Sequence, residues 1–412
     1  MKVLLLENIS GVAATQFEEA GFAVESLKGA LDERELTEKV RGAAILGVRS
    51  KTHITAAVLD AAPELVSVGA FCIGVDKIDR AAAGERGIGV FNDPHSNSRS
   101  VAELAMGEII VLLRRTFEAS TRLHGGVWKK SAVGSHEVRG LTLGIVGYGK
   151  IGSQVSDLAE AMGMRVVFHD VAHVLARGNA RPVSFRELLE ISDAITLHVD
   201  GRAQNENLFG DDELRAMKDG ACLINLSRGF VVEHEALAQH LKSGKLGGAA
   251  VDVFPQEPET GGGFSSPLQG LPNVILTPHI GGSTEEAQQN IGQFVSARMI
   301  DYFQSGNSLL SVNLPHCHLD FDPNFYSNSD PNSEPGSHRL THIHHNVPGI
   351  LRAINDILAD RGINIDRQVL DTRGPLGYAI YDINRACDEQ LLEKLRAVPH
   401  TIRVRVPGEA RG

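Results

Sequence analysis

Residues 141–152 read Leu-Thr-Leu-Gly-Ile-Val-Gly-Tyr-Gly-Lys-Ile-Gly, and this stretch limits the fold more than any other in the chain. Leu141 to Val146 is a short, mostly apolar run that suits a buried parallel strand. Gly147, Gly149 and Gly152 then fit G-x-G-x-x-G around Tyr148, Lys150 and Ile151, and Ser153 to Ala161 continues as a helix. The first glycine allows a tight turn, the second lets a pyrophosphate reach the backbone, and the third lets helix and strand pack closely. Phosphates would sit on free N–H groups at the helix start, where the dipole favours negative charge.

Glycine-rich turns are common, so the motif gains weight from the residues after it. Met164 to Phe168 reads as the next strand, and Asp170 lies at its end, where a carboxylate accepts hydrogen bonds from ribose hydroxyls. The same charge repels a 2′-phosphate, which favours NAD over NADP. Strand, motif, helix, strand and acid in that order outweigh a plain β-α-β unit with ordinary turn glycines and a solvated aspartate.

Upstream, short strands at Val3–Leu6, Ala23–Ser26, Ala43–Val48, Leu65–Ala70 and Gly89–Asn92 alternate with helical segments. That alternation predicts a second doubly wound parallel sheet. A long helix from Ser100 to Arg115, capped by Ser100, should carry the chain into the nucleotide unit. A second, from Thr284 to Phe303, should carry it back, leaving the first domain discontinuous. The strands expected after the fingerprint are Ala194–His198, Ala221–Asn225, Gly248–Val251 and Val274–Leu276. Between Asn313 and Ser337 the pattern dissolves into Pro, Asn, Ser and Asp and reads as a linker. From His338 onward a β-α-β-β-α-β order predicts a small ferredoxin-like domain. The domain map is therefore 1–96 with 284–315, 97–283, a linker at 316–337, and 338–412.

A chain of 412 residues is too long for one ordinary core. Its net charge of −11 argues against a nucleic-acid-binding surface. No stretch approaches the roughly 20 apolar residues of a membrane helix, and the N-terminal apolar run is too short for a signal peptide. Cys72, Cys222, Cys317 and Cys387 are scattered without C-x-x-C spacing, which fits reduced thiols and a cytoplasmic location. His316-Cys317-His318 is more often an incidental cluster than a metal site, so no metal is expected.

Three residues after strand ends carry candidate chemistry: Arg228 in Asn-Leu-Ser-Arg-Gly, Glu257 in Phe-Pro-Gln-Glu-Pro, and His279 in Thr-Pro-His-Ile-Gly-Gly. An imidazole exchanges the proton that accompanies hydride transfer at an alcohol carbon, and a neighbouring carboxylate steadies its charged form. An arginine grips an α-carboxylate with two parallel hydrogen bonds. Singly, each is better explained in plainer terms, Arg228 as a surface cap, Glu257 as a solvated loop acid and His279 as a core histidine, in a chain with 17 His and 51 acids. Together, beside a dinucleotide fold, they outweigh that reading.

On these motifs the chain resembles the D-isomer-specific 2-hydroxyacid dehydrogenases, in their form with a C-terminal ACT domain. The likeness runs through Leu46-Gly47-Val48-Arg49-Ser50, Phe71-Cys72-Ile73-Gly74, Ser98 to Leu104, the fingerprint, Ser227-Arg228-Gly229, Pro278 to Gly282 and His342 to Asn346. It implies that His279 is the acid/base paired with Glu257, that Arg228 binds the substrate carboxylate, and that Asp252 holds the nicotinamide carboxamide. Arg49, Ser50 and Asn97 match substrate-domain positions near the carboxylate and phosphate. Lys51 stands where an arginine is more usual, with the charge kept. The resemblance further implies oxidation of D-3-phosphoglycerate to 3-phosphohydroxypyruvate, the entry to serine synthesis. It also implies L-serine as effector at His344, Asn346 and Asn364, and a homotetramer.

Other readings stay open at this point. One is a reductase for hydroxypyruvate, glyoxylate or 2-oxoglutarate. Another is a non-catalytic NAD-sensing corepressor, which the net charge and the full Arg228, Glu257 and His279 set disfavour. The ACT domain serves either regulation or assembly. The long polar linker and the turn Arg373-Gly374-Pro375-Leu376 bear on the strength of serine inhibition. Trp128 either reaches a neighbouring subunit or packs locally.

Overall fold

The computed structural model describes residues 1–258, 262–320 and 338–408. The first sheet contains β1 (Lys2–Leu5), β2 (Ala23–Ser26), β3 (Ala43–Val48), β4 (Ser67–Ala70) and β5 (Gly89–Asn92), all parallel in the order β2-β1-β3-β4-β5. Every residue of β3, β4 and β5 is buried, as a parallel sheet covered on both faces requires.

The second sheet contains β6 (Thr142–Val146), β7 (Arg165–His169), β8 (Arg181–Pro182), β9 (Ala194–Leu197), β10 (Cys222–Asn225), β11 (Gly248–Val251) and β12 (Val274–Leu276). Their order is β12-β11-β10-β9-β6-β7-β8, again parallel, and it reverses direction at β6, directly below the glycine turn. Strand β8 was not legible in the sequence, because two exposed residues carry no periodicity. The third sheet is antiparallel, built from β13 (His338–His345), β14 (Ile365–Arg373), β15 (Leu376–Ile383) and β16 (Thr401–Arg405) in the order β14-β15-β13-β16. With helices Ile350–Asp360 and Glu389–Arg396 it makes the ferredoxin-like arrangement. The turn at Gly374-Pro375 is a two-residue hairpin loop. Gly374 takes φ +56° at the first central position, which a type II′ turn demands, and Arg373 pairs with Leu376 across it.

By the density of its contacts the chain forms two compact units, Met1–Pro94 with Gln288–Gly412, and His95–Ala287. Within the first unit, Ile291, Val295, Met299 and Tyr302 of helix Glu285–Ser305 join Val3, Phe17 and Phe91 in one core. Gly69 of β4 is needed there, since a Cβ would lie 2.9 Å from Val295 and closer still to the Met299 sulfur. Tyr378 and Ile380 of the third sheet enter the same core, while Leu340, Ile354, Leu391 and Val404 form a core of that sheet's own.

Two expectations need correction. The long helix spans Ser98–Leu113, so Ser100 lies inside it instead of capping it, and its hydroxyl pairs with Thr284 Oγ1 at 2.9 Å. The polar stretch after Asn313 is also not loose from its start. Leu314 and Cys317 are fully buried and Leu319 packs against the same core, because these apolar side chains gain more inside than in water. Residues 321–337 of the linker and 409–412 of the last domain lie outside the described residues.

Candidate active site

Buried β6 delivers the chain into Gly147, whose φ of +90° and close approach to β9's exit explain the residue: a Cβ would lie 2.5 Å from the His198 carbonyl oxygen. Gly152, one turn into helix Lys150–Ala161, has no room either, because a Cβ would overlap the Gly147 oxygen. Gly149 differs. A Cβ there would meet nothing within 4 Å, so the space above it is free for a ligand's phosphates, at the end of a helix that no side chain caps. A cavity of about 330 Å³ opens here, lined by Gly147, Gly149, Asp170, Val171, His198 and Arg202.

Asp170 follows β7. Its Oδ2 accepts from the Tyr148 N–H at 2.7 Å and its Oδ1 from the Ala172 N–H at 2.8 Å, which aims the carboxylate across the glycine turn. Two of its four lone-pair positions stay open for ribose hydroxyls. The Tyr148 ring turns inward instead, stacked on Phe168 at 3.8 Å between centroids with its hydroxyl on Ser156. Tyr148 therefore shapes the turn from the core side. Lys150 and Ile151 open the helix, so their backbone N–H groups are free of helix partners and available to a phosphate. His198 is partly buried beside this cavity, and burial pushes its pKa down to about 3, so its ring is neutral. These features fit a dinucleotide with unphosphorylated ribose.

The second cluster forms where β10, β11 and β12 end. Arg228 leaves β10 in extended backbone. Asn225 Nδ2 donates to its carbonyl at 3.0 Å, and its own Nη1 donates to the Ser227 carbonyl at 2.8 Å. Gly229 follows because no side chain fits: a Cβ would overlap the Phe254 carbonyl carbon. That contact packs the arginine loop onto the loop carrying Glu257. Glu257 Oε1 accepts from the Phe254 N–H at 3.0 Å, and its Oε2 lies 2.8 Å from His279 Nδ1. His279 itself sits at φ +55°, a left-handed conformation uncommon for a residue with a side chain.

Asp252 holds that conformation. Nearly fully buried, its Oδ1 accepts from the Thr277 hydroxyl at 2.6 Å and the Ile280 N–H at 2.8 Å. Its Oδ2 accepts from the Gly281 N–H at 2.8 Å, and its carbonyl accepts from the His279 N–H at 2.8 Å. With three positions taken by its own loop, the carboxylate keeps room for one outside donor such as a carboxamide.

The electrostatics follow from the pairing. The hydrogen bond to Glu257, opposed by burial and supported by the charges of Glu257 and Asp252, holds the His279 pKa above its ordinary value. Burial pushes Glu257 up, but the His279 bond, the Phe254 amide and the nearby positive charges outweigh it and leave its pKa lowered. A neutral ring that donates from Nδ1 to the carboxylate presents Nε2 as the proton-exchanging nitrogen.

Asn97, read as a substrate-domain position, belongs instead to the unit 95–287. It precedes the helix at Ser98 and packs on the His279 loop, so that a Cβ on Gly282 would be blocked by its amide. Its Oδ1 is buried with no hydrogen-bond partner among the described residues. Arg49, partly buried, and exposed Ser50 follow β3 in the other unit. Glu108 was missed. It is buried with neither oxygen hydrogen-bonded among the described residues, and burial, then the charge of Asp252, pushes its pKa to about 8. The available signal was one acid inside the apolar run from Ala105 to Leu113.

The effector candidates do not converge within one chain. His344 and Asn346 lie at the β13 end that pairs with the start of β15, whereas Asn364 precedes β14 at the opposite end of the sheet. His344 is buried, its Nδ1 3.2 Å from His342 Nδ1, and Gly377 opposite must be glycine because its Cβ would strike the His344 ring. Asn346 and Asn364 are exposed, and the Asn364 side chain donates to Asp366. His316, Cys317 and His318 turn to separate partners, namely the Ser311 and Tyr378 carbonyls and Asp320.

Residues 106–281 match the family model "D-isomer specific 2-hydroxyacid dehydrogenase, NAD binding domain", and 340–403 match "AHAS small subunit-like ACT domain". D-3-phosphoglycerate dehydrogenase of Dictyostelium discoideum is 46% identical over 408 residues, covering 98% of this chain and 97% of that protein. The chain belongs to the D-3-phosphoglycerate dehydrogenases. The enzyme of that name from Escherichia coli strain K12 is likewise 46% identical, over 411 residues, with 98% and 97% covered. Among solved structures, D-lactate dehydrogenase from Aquifex aeolicus, complexed with NAD and lactic acid, aligns at a TM-score of 0.62 with 27% identity, over 73% of this chain and 95% of that one. The cofactor of this D-3-phosphoglycerate dehydrogenase fold is NAD, in keeping with the open space at Gly149 and the carboxylate of Asp170.

Proposed function

We propose that the chain catalyses NAD-dependent oxidation of D-3-phosphoglycerate to 3-phosphohydroxypyruvate, the first step of L-serine synthesis. The observation that carries this reading is the His279–Glu257 pair on the loop that Asp252 organises, in a chain with 46% identity to D-3-phosphoglycerate dehydrogenases along nearly its whole length. NAD accepts the hydride from C2. His279 takes the hydroxyl proton through Nε2 and Glu257 stabilises the resulting imidazolium. Arg228 holds the substrate carboxylate through its planar fork, a task lysine's point charge does not reproduce. Asp252 orients the loop and offers its remaining position to the carboxamide. Gly147 and Gly152 give the turn its close packing, Gly149 with the amides of Lys150 and Ile151 holds the pyrophosphate, and Asp170 holds the ribose. Arg49, Ser50 and Asn97 are assigned to substrate binding on their match to family positions.

In this reading residues 1–96 with 284–315 bind substrate, 97–283 bind NAD, and 338–412 form a domain that responds to L-serine. His344 and Asn346 lie at one end of its sheet and Asn364 at the other, so a site using all three draws on more than one copy, in a homotetramer working in the cytoplasm. No helix among the described residues is long and apolar enough to cross a membrane. Initial-rate reduction of NAD⁺ with D-3-phosphoglycerate, repeated with L-serine, tests the proposal. Turnover that serine suppresses supports both parts. Turnover indifferent to serine removes the regulatory part, and absence of turnover removes the substrate assignment.

A further inference from the structure

We infer that Glu7 is a positioning residue for substrate binding: its buried carboxylate fixes the backbone of the loop that presents Arg49, Ser50 and Lys51. This rests on the reading that Arg49 and Ser50 bind substrate. All of the groups concerned lie in the unit containing the first sheet.

The chain goes to some length to place this acid. Beyond β1 the backbone turns through two successive left-handed residues that are not glycine, Glu7 at φ +61° and Asn8 at φ +54°. The turn is closed by Glu7 N–H on the Gly29 carbonyl and Asn8 N–H on the Leu27 carbonyl, both at 3.1 Å. Such conformations persist only where the surroundings impose them, and they cluster at functional sites. Their result is a carboxylate with 7% exposure beneath the end of β3. Its Oε2 accepts from the Lys51 N–H at 3.0 Å and its Oε1 from the Thr52 N–H at 2.8 Å. Neither bond is local in sequence, and both are charge-assisted.

The other end of the loop is tied as well. The single hydrogen of the Cys72 thiol is shared between the Gly74 carbonyl at 3.2 Å and the Arg49 carbonyl at 3.5 Å. Burial, then the charge of Glu7, pushes the thiol up to about 11, so it stays a donor. Ser50 is thus held between a tethered carbonyl and two tethered amides, while the Ser50 and Lys51 side chains remain exposed.

This arrangement has a consequence for recognition. A turn that binds anions through its backbone points its N–H groups at the ligand. Here the Lys51 and Thr52 amides point at Glu7 and are already satisfied. Anion binding by this loop therefore cannot use the Lys51 and Thr52 amides, which leaves the Arg49, Ser50 and Lys51 side chains as its main donors, and the negative charge beneath them is stabilised by the two amides it accepts from. What Glu7 supplies is a fixed launch point for those side chains.

The test compares Glu7→Gln with the parent enzyme. An amide oxygen keeps one of the two bonds, and the amide nitrogen faces the other N–H donor to donor. KM for the substrate should rise about tenfold, the effect of losing one charge-assisted hydrogen bond. The kcat should stay within about twofold, and NADH affinity, read by fluorescence, should be unchanged because the NAD-binding residues lie in the other unit. Phe17→Leu, a core variant of the same unit, serves as the control for simple destabilisation: it should lower the melting temperature without moving KM. Cys72→Ala removes the second tether and should raise KM in the same direction by less. Should Glu7→Gln fail to fold, Cys72→Ala decides alone. KM unchanged in the variants that fold, or a rise that Phe17→Leu reproduces, overturns the inference. The ratio is taken on whichever 2-hydroxy or 2-oxo acid the parent turns over. Loss of the D-3-phosphoglycerate assignment alone therefore leaves this result readable.

Discussion

His279 Nδ1 stands 2.8 Å from Glu257 Oε2, and the bond raises the pKa of the imidazole while it lowers that of the carboxylate. Alcohol oxidation requires neutral His279, so its rate falls as pH drops through that raised pKa. In Glu257→Gln the charge is gone, one amide oxygen is left for the two partners Phe254 N–H and His279, and burial, which favours the neutral ring, remains. The acidic limb of kcat/KM should therefore move to lower pH, while the plateau falls because the imidazolium has lost its partner. A pH profile from about 5 to 9 covers histidine's range. A limb that stays in place contradicts the pairing.

Gly229 is fixed by contact. A methyl group overlapping the Phe254 carbonyl carbon forces the Arg228 and Glu257 loops apart. Gly229→Ala should cost about 1–3 kcal/mol of stability, as overpacking does. It should lower kcat/KM by about 10²-fold, the penalty of roughly 1 Å of misplacement. Denaturant unfolding and steady-state kinetics read the two effects.

Asp170 serves two partners, the Tyr148 amide and the ribose assigned to it. Asp170→Ala should raise KM for NAD at least about tenfold, given the worth of hydrogen bonds to a charged group. It should also narrow the preference for NAD over NADP, since the charge that repels a 2′-phosphate is removed. Kinetics with both cofactors check this.

Asp382 is fully buried between Arg339, at 2.7 Å, and Arg367, also at 2.7 Å. Arg339 further donates to the Ser305 and Leu319 carbonyls, tying β13 to the end of helix Glu285–Ser305. Asp382→Ala leaves two guanidinium groups facing a void and should cost about 3–5 kcal/mol, measured by chemical denaturation.

Both parallel sheets were legible, β8 apart, because most of their strands are short apolar runs closed by a turn, and of the three motif glycines the spacing marked Gly149, where a Cβ meets open space. The order of residues around His279 was legible as a motif. What the motif hid was the work of Asp252, whose bonds to Thr277, Ile280 and Gly281 exist only once β11 and β12 are side by side. Glu7 and Glu108 were hidden for the same reason: an acid's burial is set by contacts distant in sequence. Composition misled at Cys317, where polar neighbours disguised a fully buried side chain. It was silent on Asn364, whose distance from His344 depends on strand direction alone.

Proton transfer in the proposed reaction rests on His279. Initial-rate reduction of NAD⁺ with D-3-phosphoglycerate should be robust in the parent enzyme and about 10²- to 10⁴-fold slower in kcat for His279→Ala, the usual worth of a positioned acid/base group, with NADH binding retained. A variant that turns over as fast as its parent would contradict the acid/base assignment outright.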